Sequence, residues 1–104
     1  MDVHFIGKDV EALYTKGTCR AYRELERTVI NKFFSAIAII DAATTTHDIM
    51  AHPSYRFEKL QGYEKRYSMR LSIKWRLEME VDWTNETKTV GIFGIDEISN
   101  HYGD

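Results

Sequence analysis

Cysteine and proline are nearly absent from this 104-residue chain, each occurring once. A lone Cys19 leaves no internal disulfide to staple the fold, which fits a reducing compartment and excludes a cysteine framework. No apolar run approaches the roughly 20 residues of a membrane span. The opening "MDVHFIGKDV" lacks the basic start and long apolar stretch of a secretory signal. The expectation is a soluble, cytoplasmic protein with no membrane association. Glycine is sparse too: no phosphate-cradling loop and no GxSxG elbow can be found. Repeats, low-complexity tracts and Pro/Gly/Ser linkers are missing, so one domain is expected over residues 1–104. At this length a chain buries roughly two-thirds of the surface its unfolded form exposes, enough for a hydrophobic core.

Metal-ligand spacing is missing as well. His47 and His52 stand five apart, which suits neither a helical zinc pair nor a finger motif. No metal and no cofactor is expected. A nucleophilic pairing of Cys19 with His101 is open to the sequence, but Cys19 reads more readily as a small residue beside a helix start.

What is present is periodicity. "VHFI" (3–6) reads as a short strand, and "KDVEALYTKG" as two helical turns ending at Gly17. Thr18 is then placed to cap a longer helix. From Tyr22 the apolar positions Leu25, Val29, Phe33, Ala36, Ile37 and Ile40 recur at spacings of three and four, one stripe on a helix. "THDIMAHP" predicts a further turn capped by Thr46 and stopped before Pro53. Beyond Pro53 the period falls from near 3.6 to 2. "YRFEKLQG" reads as a strand containing Tyr55 and Phe57. "RYSMRLSI" places Tyr67, Met69, Leu71 and Ile73 on one face. A tight turn near Ile73–Lys74 leads into "KWRLEMEVDW", then "TNETK" turns into a last strand, "TVGIFGI", of ambiguous facing. Helices followed by successive strands make an α+β fold, with N-terminal helices on one face of a mainly antiparallel sheet.

Charge is nearly balanced in total, at −2, but not along the chain. Residues 56–76 hold Arg56, Lys59, Lys65, Arg66, Arg70, Lys74 and Arg76 against Glu58 and Glu64. That segment is +5, so the remainder must be −7. In "RLSIKWRLEMEVDW" the polar phase passes from Arg70, Lys74 and Arg76 to Glu78, Glu80 and Asp82. One end of the outer sheet face is therefore expected to receive an anion that the other end repels. Near the C-terminus, His101 can move protons near neutral pH, and Tyr102 can donate a proton or stack on a base.

These residues resemble the HigB branch of the RelE/ParE toxin superfamily. The resemblance rests on the Leu60-x-Gly62 turn, the Tyr67-Ser68-x-Arg70 strand, the Trp75-Arg76-Leu77 strand start and a histidine, His101, after the last strand. It spans nearly the whole chain, with the specific motifs all beyond about residue 55. It implies an α+β toxin of a type II toxin–antitoxin pair that cleaves mRNA on the ribosome, by attack of a ribose 2′-hydroxyl and without metal. Arg76 matches the family's strand arginine, His101 its terminal histidine, and Arg70 a position where basic residues are common. The resemblance further implies a helix-turn-helix antitoxin as partner, through which operator DNA is bound indirectly. Glu58 stands where members often carry histidine, Gln61 where lysine is common, and Ser99-Asn100 where Asp-Tyr precedes the terminal histidine. Catalysis is thus expected from His101, Arg76, Tyr102 and, as a second proton-transfer candidate, Glu58. RNA phosphate is expected on Arg70, Lys74, Lys59 and Arg56. The alternatives are a ParE-like toxin that binds DNA gyrase without cutting nucleic acid, and a degenerate protein-binding module.

Overall fold

In the computed structural model, which describes residues 1–100, the chain enters through strand β1 (Asp2–Phe5) and turns directly into helix α1 (Lys8–Lys16). Gly17 ends α1 in the left-handed region, φ 78°, with its N–H on the Leu13 carbonyl at 2.9 Å. This is the αL termination that glycine permits and a side chain would strain.

Helix α2 (Arg27–Ala42) carries the expected stripe, burying Val29, Phe33, Ala36, Ile37 and Ile40. It starts later than the sequence predicts. Thr18 caps nothing; the N-cap is Glu26, and a 3₁₀ turn (Arg20–Tyr22) fills the interval. Tyr22 explains the delay. Its hydroxyl accepts the Ile98 N–H at 3.1 Å, so the residue closes a sheet edge instead of lying on the helix stripe. Burial raises the phenol pKa there, against the opposing effect of that hydrogen bond. The other end of α2 receives the Met1 ammonium, which donates to the carbonyls of Ile40, Asp41 and Ala43 at 3.0, 3.2 and 2.6 Å. The Ile40 carbonyl also accepts the Ala43 N–H at 3.2 Å; carbonyls in a helix's last turn are short of intrahelical donors, and a cation there also suits the helix dipole.

The short helix α3 (Thr46–Met50) is capped by Thr45, one residue before the expected Thr46. The Thr45 hydroxyl accepts the His47 N–H, while Asp48 accepts the N–H groups of Thr44 and Thr45. Those hydrogen bonds lower the Asp48 pKa. Thr46 itself is buried. Pro53–Tyr55 form a 3₁₀ turn, so Tyr55 is a buried turn residue and not part of a strand.

The remaining strands are β2 (Glu58–Lys59), β3 (Arg66–Arg70), β4 (Trp75–Trp83) and β5 (Gly91–Asn100). Their order is β1-β5-β4-β3-β2, with β1 parallel to β5 and every other pair antiparallel. The architecture is α+β, with the N-terminal helices packed on one face of a five-stranded, mainly antiparallel sheet. Tyr67, Met69, Leu77, Met79, Val81, Phe93, Ile95 and Ile98 are buried in the core that these helices cover. Ile73 departs from the expected alternation. The Leu71 N–H meets the Trp75 carbonyl at 2.9 Å, so Ile73 sits in the hairpin loop and is 81% exposed.

Strand β5 is longer than its sequence suggests, and a bulge allows it. Glu78 pairs with Glu97 but Met79 pairs with Ile95, leaving Asp96 as the extra residue. The β1–α1 junction folds tightly onto this bulge, with the Gly7 N–H on the Ile95 carbonyl at 3.1 Å. A β-carbon at Gly7 would stand 1.8 Å from the Asp96 carbonyl oxygen. Since the obstacle is backbone, Gly7→Ala should cost about 3 kcal/mol, the upper part of the overpacking range. Urea denaturation should show a lower midpoint with an unchanged slope.

Candidate functional site

The outer sheet face is built by the residues that alternate with the buried ones. Arg70 on β3 pairs in register with Arg76 on β4, and Arg76 pairs with Ser99 on β5. Directly opposed residues hold their β-carbons about 5 Å apart, and like charges in that arrangement repel. Arg76 is steadied by donating through Nη1 to the Ser72 carbonyl at 3.1 Å. Neither arginine makes an ion pair with a carboxylate among the described residues. Ser72 organises the adjoining loop, its hydroxyl accepting the N–H groups of Lys74 and Trp75.

One register row further along, the sign reverses. Glu78 faces Ser68 on one side and Glu97 on the other. Arg66 gathers the carboxylates: Nε donates to Glu78 at 2.8 Å, and Nη2 to Asp96 at 2.6 Å and Glu97 at 3.2 Å. Glu80 lies 3.7 Å from Nη1. The bulge makes this possible, because it brings both Asp96 and Glu97 within reach of one guanidinium. Burial opposes the Arg66 charge, yet the hydrogen bonds it donates to Asp96 and Glu78 carry its pKa above the ordinary arginine value. Glu97 shifts upward, through burial first and the Glu78 charge second, with Arg66 pulling the other way. Glu78 also accepts a short hydrogen bond from the Ser99 hydroxyl. Beside the cluster lies a depression of about 310 Å³, rimmed by Tyr63, Glu64, Glu80 and Glu97.

The expected phosphate-binding residues are therefore divided. Arg70 and Arg76 come together on the outer face. Lys74 lines a cavity of about 390 Å³ on the helix side of the hairpin, with Glu24 and Glu26. Lys59 lies near the opposite end of the sheet, around a cavity shared with Lys65, Asp82 and Lys88. Arg56 follows the 3₁₀ turn at φ 47° and is exposed. Glu58 is exposed on the short edge strand, across from Ser68. Of the remaining cations in the basic segment, Arg66 and Lys65 are taken up by carboxylates, Lys65 by Asp82 at 3.1 Å and Glu80 at 3.7 Å. The hydrogen bond and charge of Asp82 raise the Lys65 pKa.

His101 and Tyr102 lie outside the described residues. The strand that leads to them ends with Asn100 opposite Trp75, at the same end of the sheet as Arg70 and Arg76.

The Arg66 cluster has no counterpart in the sequence reading, although a signal for it exists. In "FGIDEIS" the buried residues are Phe93, Ile95 and then Ile98, so the spacing lengthens from two to three at the bulge. Among the described residues no three His, Cys, Asp or Glu side chains are arranged to hold a metal ion. No helix among them is long and apolar enough to cross a membrane. No protein-family model matches the chain, and no curated protein matches it.

Proposed function

We propose that this protein is the toxin of a type II toxin–antitoxin pair, a ribosome-dependent endoribonuclease that cuts mRNA in the cytoplasm. The observation that supports this most is the register pairing of Arg70 with Arg76 beside the end of β5. Two guanidinium groups without a carboxylate partner among the described residues, on adjacent strands, suit the planar oxygen pairs of a phosphodiester. The motifs shared with HigB-like toxins supply the reaction class.

In this reading Arg70 and Arg76 hold the scissile phosphate. A base takes the proton of the ribose 2′-hydroxyl, and the freed oxygen attacks phosphorus. The P–O5′ bond breaks, and an acid protonates the departing 5′-oxygen, leaving a 2′,3′-cyclic phosphate. The arginines stabilise the added negative charge of the transition state. His101 is the proton-transfer group and Tyr102 the stacking or proton-donating one; Glu58 is the second proton-transfer candidate. Lys59 and Arg56 lie apart from the paired arginines and, with Lys74, serve in peripheral contacts with ribosomal RNA. A helix-turn-helix antitoxin is the proposed partner, carrying the complex to operator DNA.

The test is a translation reaction programmed with a defined message. Wild-type protein should generate cuts at the codon in the A site. His101→Ala and Arg76→Ala should each slow cleavage at least about tenfold, the lower bound for lost acid–base or electrostatic help. An intact message together with a stalled DNA gyrase would replace this reading with the non-nucleolytic one.

A further inference from the structure

Ser99 stands where the cationic and anionic ends of the outer sheet face meet. It pairs in register with Arg76, so the two β-carbons lie about 5 Å apart. Its hydroxyl donates to Glu78 Oε2, on the next outward-facing residue of β4. The other oxygen of Glu78 is held by Arg66 Nε at 2.8 Å. A hydroxyl bonded to a carboxylate that a third group orients is an arrangement suited to moving a proton from one oxygen to another. Since the Ser99 proton is committed to Glu78, the serine oxygen is left as an acceptor. Among the described residues no group donates to it. Ser99 is half-buried, and only 19% of the Glu78 side chain is exposed, so the serine is the open side of the pair.

We propose that Ser99 receives the ribose 2′-hydroxyl of bound RNA and that Glu78, behind it, is the final acceptor of the proton. The inference rests on the endoribonuclease reading and assigns the base of that reaction. The 2′-O–H bond breaks, and its proton goes to Ser99 Oγ as the Ser99 proton passes to Glu78 Oε2. The freed electron pair forms the bond from the 2′-oxygen to phosphorus. The P–O5′ bond breaks, and the departing 5′-oxygen takes a proton from His101. Glu78 then gives its proton to water and His101 regains one, so no further reactant is consumed.

Position favours this pair over the carboxylate singled out by the sequence. Ser99 is on β5, the strand next to Arg76 and about 4.8 Å from it. A ribose whose phosphate rests on Arg76 reaches that far. Glu58 is on β2, with β3 between it and the strand of Arg76. Glu78 is also on the same strand as Arg76, two residues on, so the phosphate contact and the proton acceptor are fixed by one rigid element. DNA lacks the 2′-hydroxyl that Ser99 accepts, so the same pair makes the site selective for RNA.

Single-turnover cleavage of a defined message, with the full chain and the concentration of programmed ribosomes varied, tests it. Ser99→Ala and Glu78→Gln should each lower the saturating rate about a hundredfold, the lower end for lost acid–base help. Glutamine still accepts the serine hydrogen bond but takes no proton, so its effect separates proton transfer from positioning. The half-saturating ribosome concentration should stay within about threefold of wild type. The double variant should be no more than about threefold slower than the slower single one, because the two residues act as a unit. Ser99→Thr keeps the hydroxyl and should restore the rate to within about tenfold of wild type. Far-UV circular dichroism checks folding; if Glu78→Gln is unfolded, the contrast between Ser99→Ala and Ser99→Thr decides alone. Wild type that cuts while Ser99→Ala cuts within about threefold as fast overturns the proposal and leaves the endoribonuclease reading standing. So does Ser99→Thr as slow as Ser99→Ala, or a loss seen only in the half-saturating concentration. Wild type that leaves the message intact overturns both.

Discussion

Arg66→Met lowers folding stability by about 2–3 kcal/mol at neutral pH, below most of the range for breaking a fully buried ion pair because the carboxylates around it are partly exposed. Only 13% of the Arg66 side chain is exposed, and four carboxylates lie within 3.7 Å of its nitrogens or closer. Without the guanidinium they repel one another on a sheet that cannot spread them. The effect has a definite pH dependence. In the variant the clustered carboxylates bind protons more tightly folded than unfolded, so stability falls as pH rises and recovers as pH falls toward their unfolded values. Glu97 already has this sign in the wild type, since its folded pKa is raised. Its stabilising contribution is complete below the unfolded pKa and is lost as pH rises through the folded one. Urea denaturation of wild type and variant at pH 7 and near pH 4.5 checks both statements. A loss below 1 kcal/mol, or one of equal size at the two pH values, would show that the cluster is a solvated surface feature.

Phe93→Ala should cost more, about 3–5 kcal/mol, by a different mechanism. Phe93 is fully buried on β5, in register with Val3 of β1 on one side and Val81 of β4 on the other. Its ring lies 5.9 Å from that of Phe57 and 6.2 Å from that of Trp83. Tyr67 joins the same cluster, stacked on Phe57 at 5.3 Å and accepting the Trp83 indole N–H at 3.2 Å. Truncation removes the ring that both sheet neighbours and the aromatic cluster close upon, and backbone pairing on both sides keeps the strand from collapsing into the gap. For a domain of this size each kcal/mol is worth roughly 4–8 °C in Tm. A fall of well over 10 °C is expected, with a change in Trp83 fluorescence. Phe93→Leu, which keeps most of the volume, should lose less than half as much.

Both variants bear on what could be read before the structure. The helix stripe through Val29, Phe33, Ala36, Ile37 and Ile40 was legible because burial on one side imposes its period on the sequence. The alternation through Tyr67, Met69, Leu71 and then Leu77, Met79, Val81 was legible for the same reason. Boundaries were less so. Thr18 and Thr46 have the chemistry of helix caps, but Tyr22 is held by the Ile98 N–H and Thr46 is buried, and neither fact is local. The extent of β5 was hidden by its bulge, since one extra residue shifts the apolar phase halfway along the strand. The candidate site was half legible. The sign change along β4 located a cationic and an anionic end. It could not reveal that Arg66, from the basic segment, is spent on the acidic end. Nor could it show that the hairpin at Lys74 shares a cavity with Glu24 and Glu26 while Arg70 and Arg76 stay together. Those outcomes depend on cross-strand register, which connects residues far apart in sequence.

The proposed role of the paired arginines as phosphate contacts has a direct signature. Binding of the protein to message-programmed ribosomes should be measured across salt concentrations for wild type and for Arg70→Ala/Arg76→Ala. Each lost contact to single-stranded phosphate lowers the slope of log K against log salt by about 0.7. The double variant should therefore bind more weakly with a slope shallower by about 1.4. An unchanged slope, with binding as tight as the wild type's, would contradict the assignment of this end of the sheet to RNA.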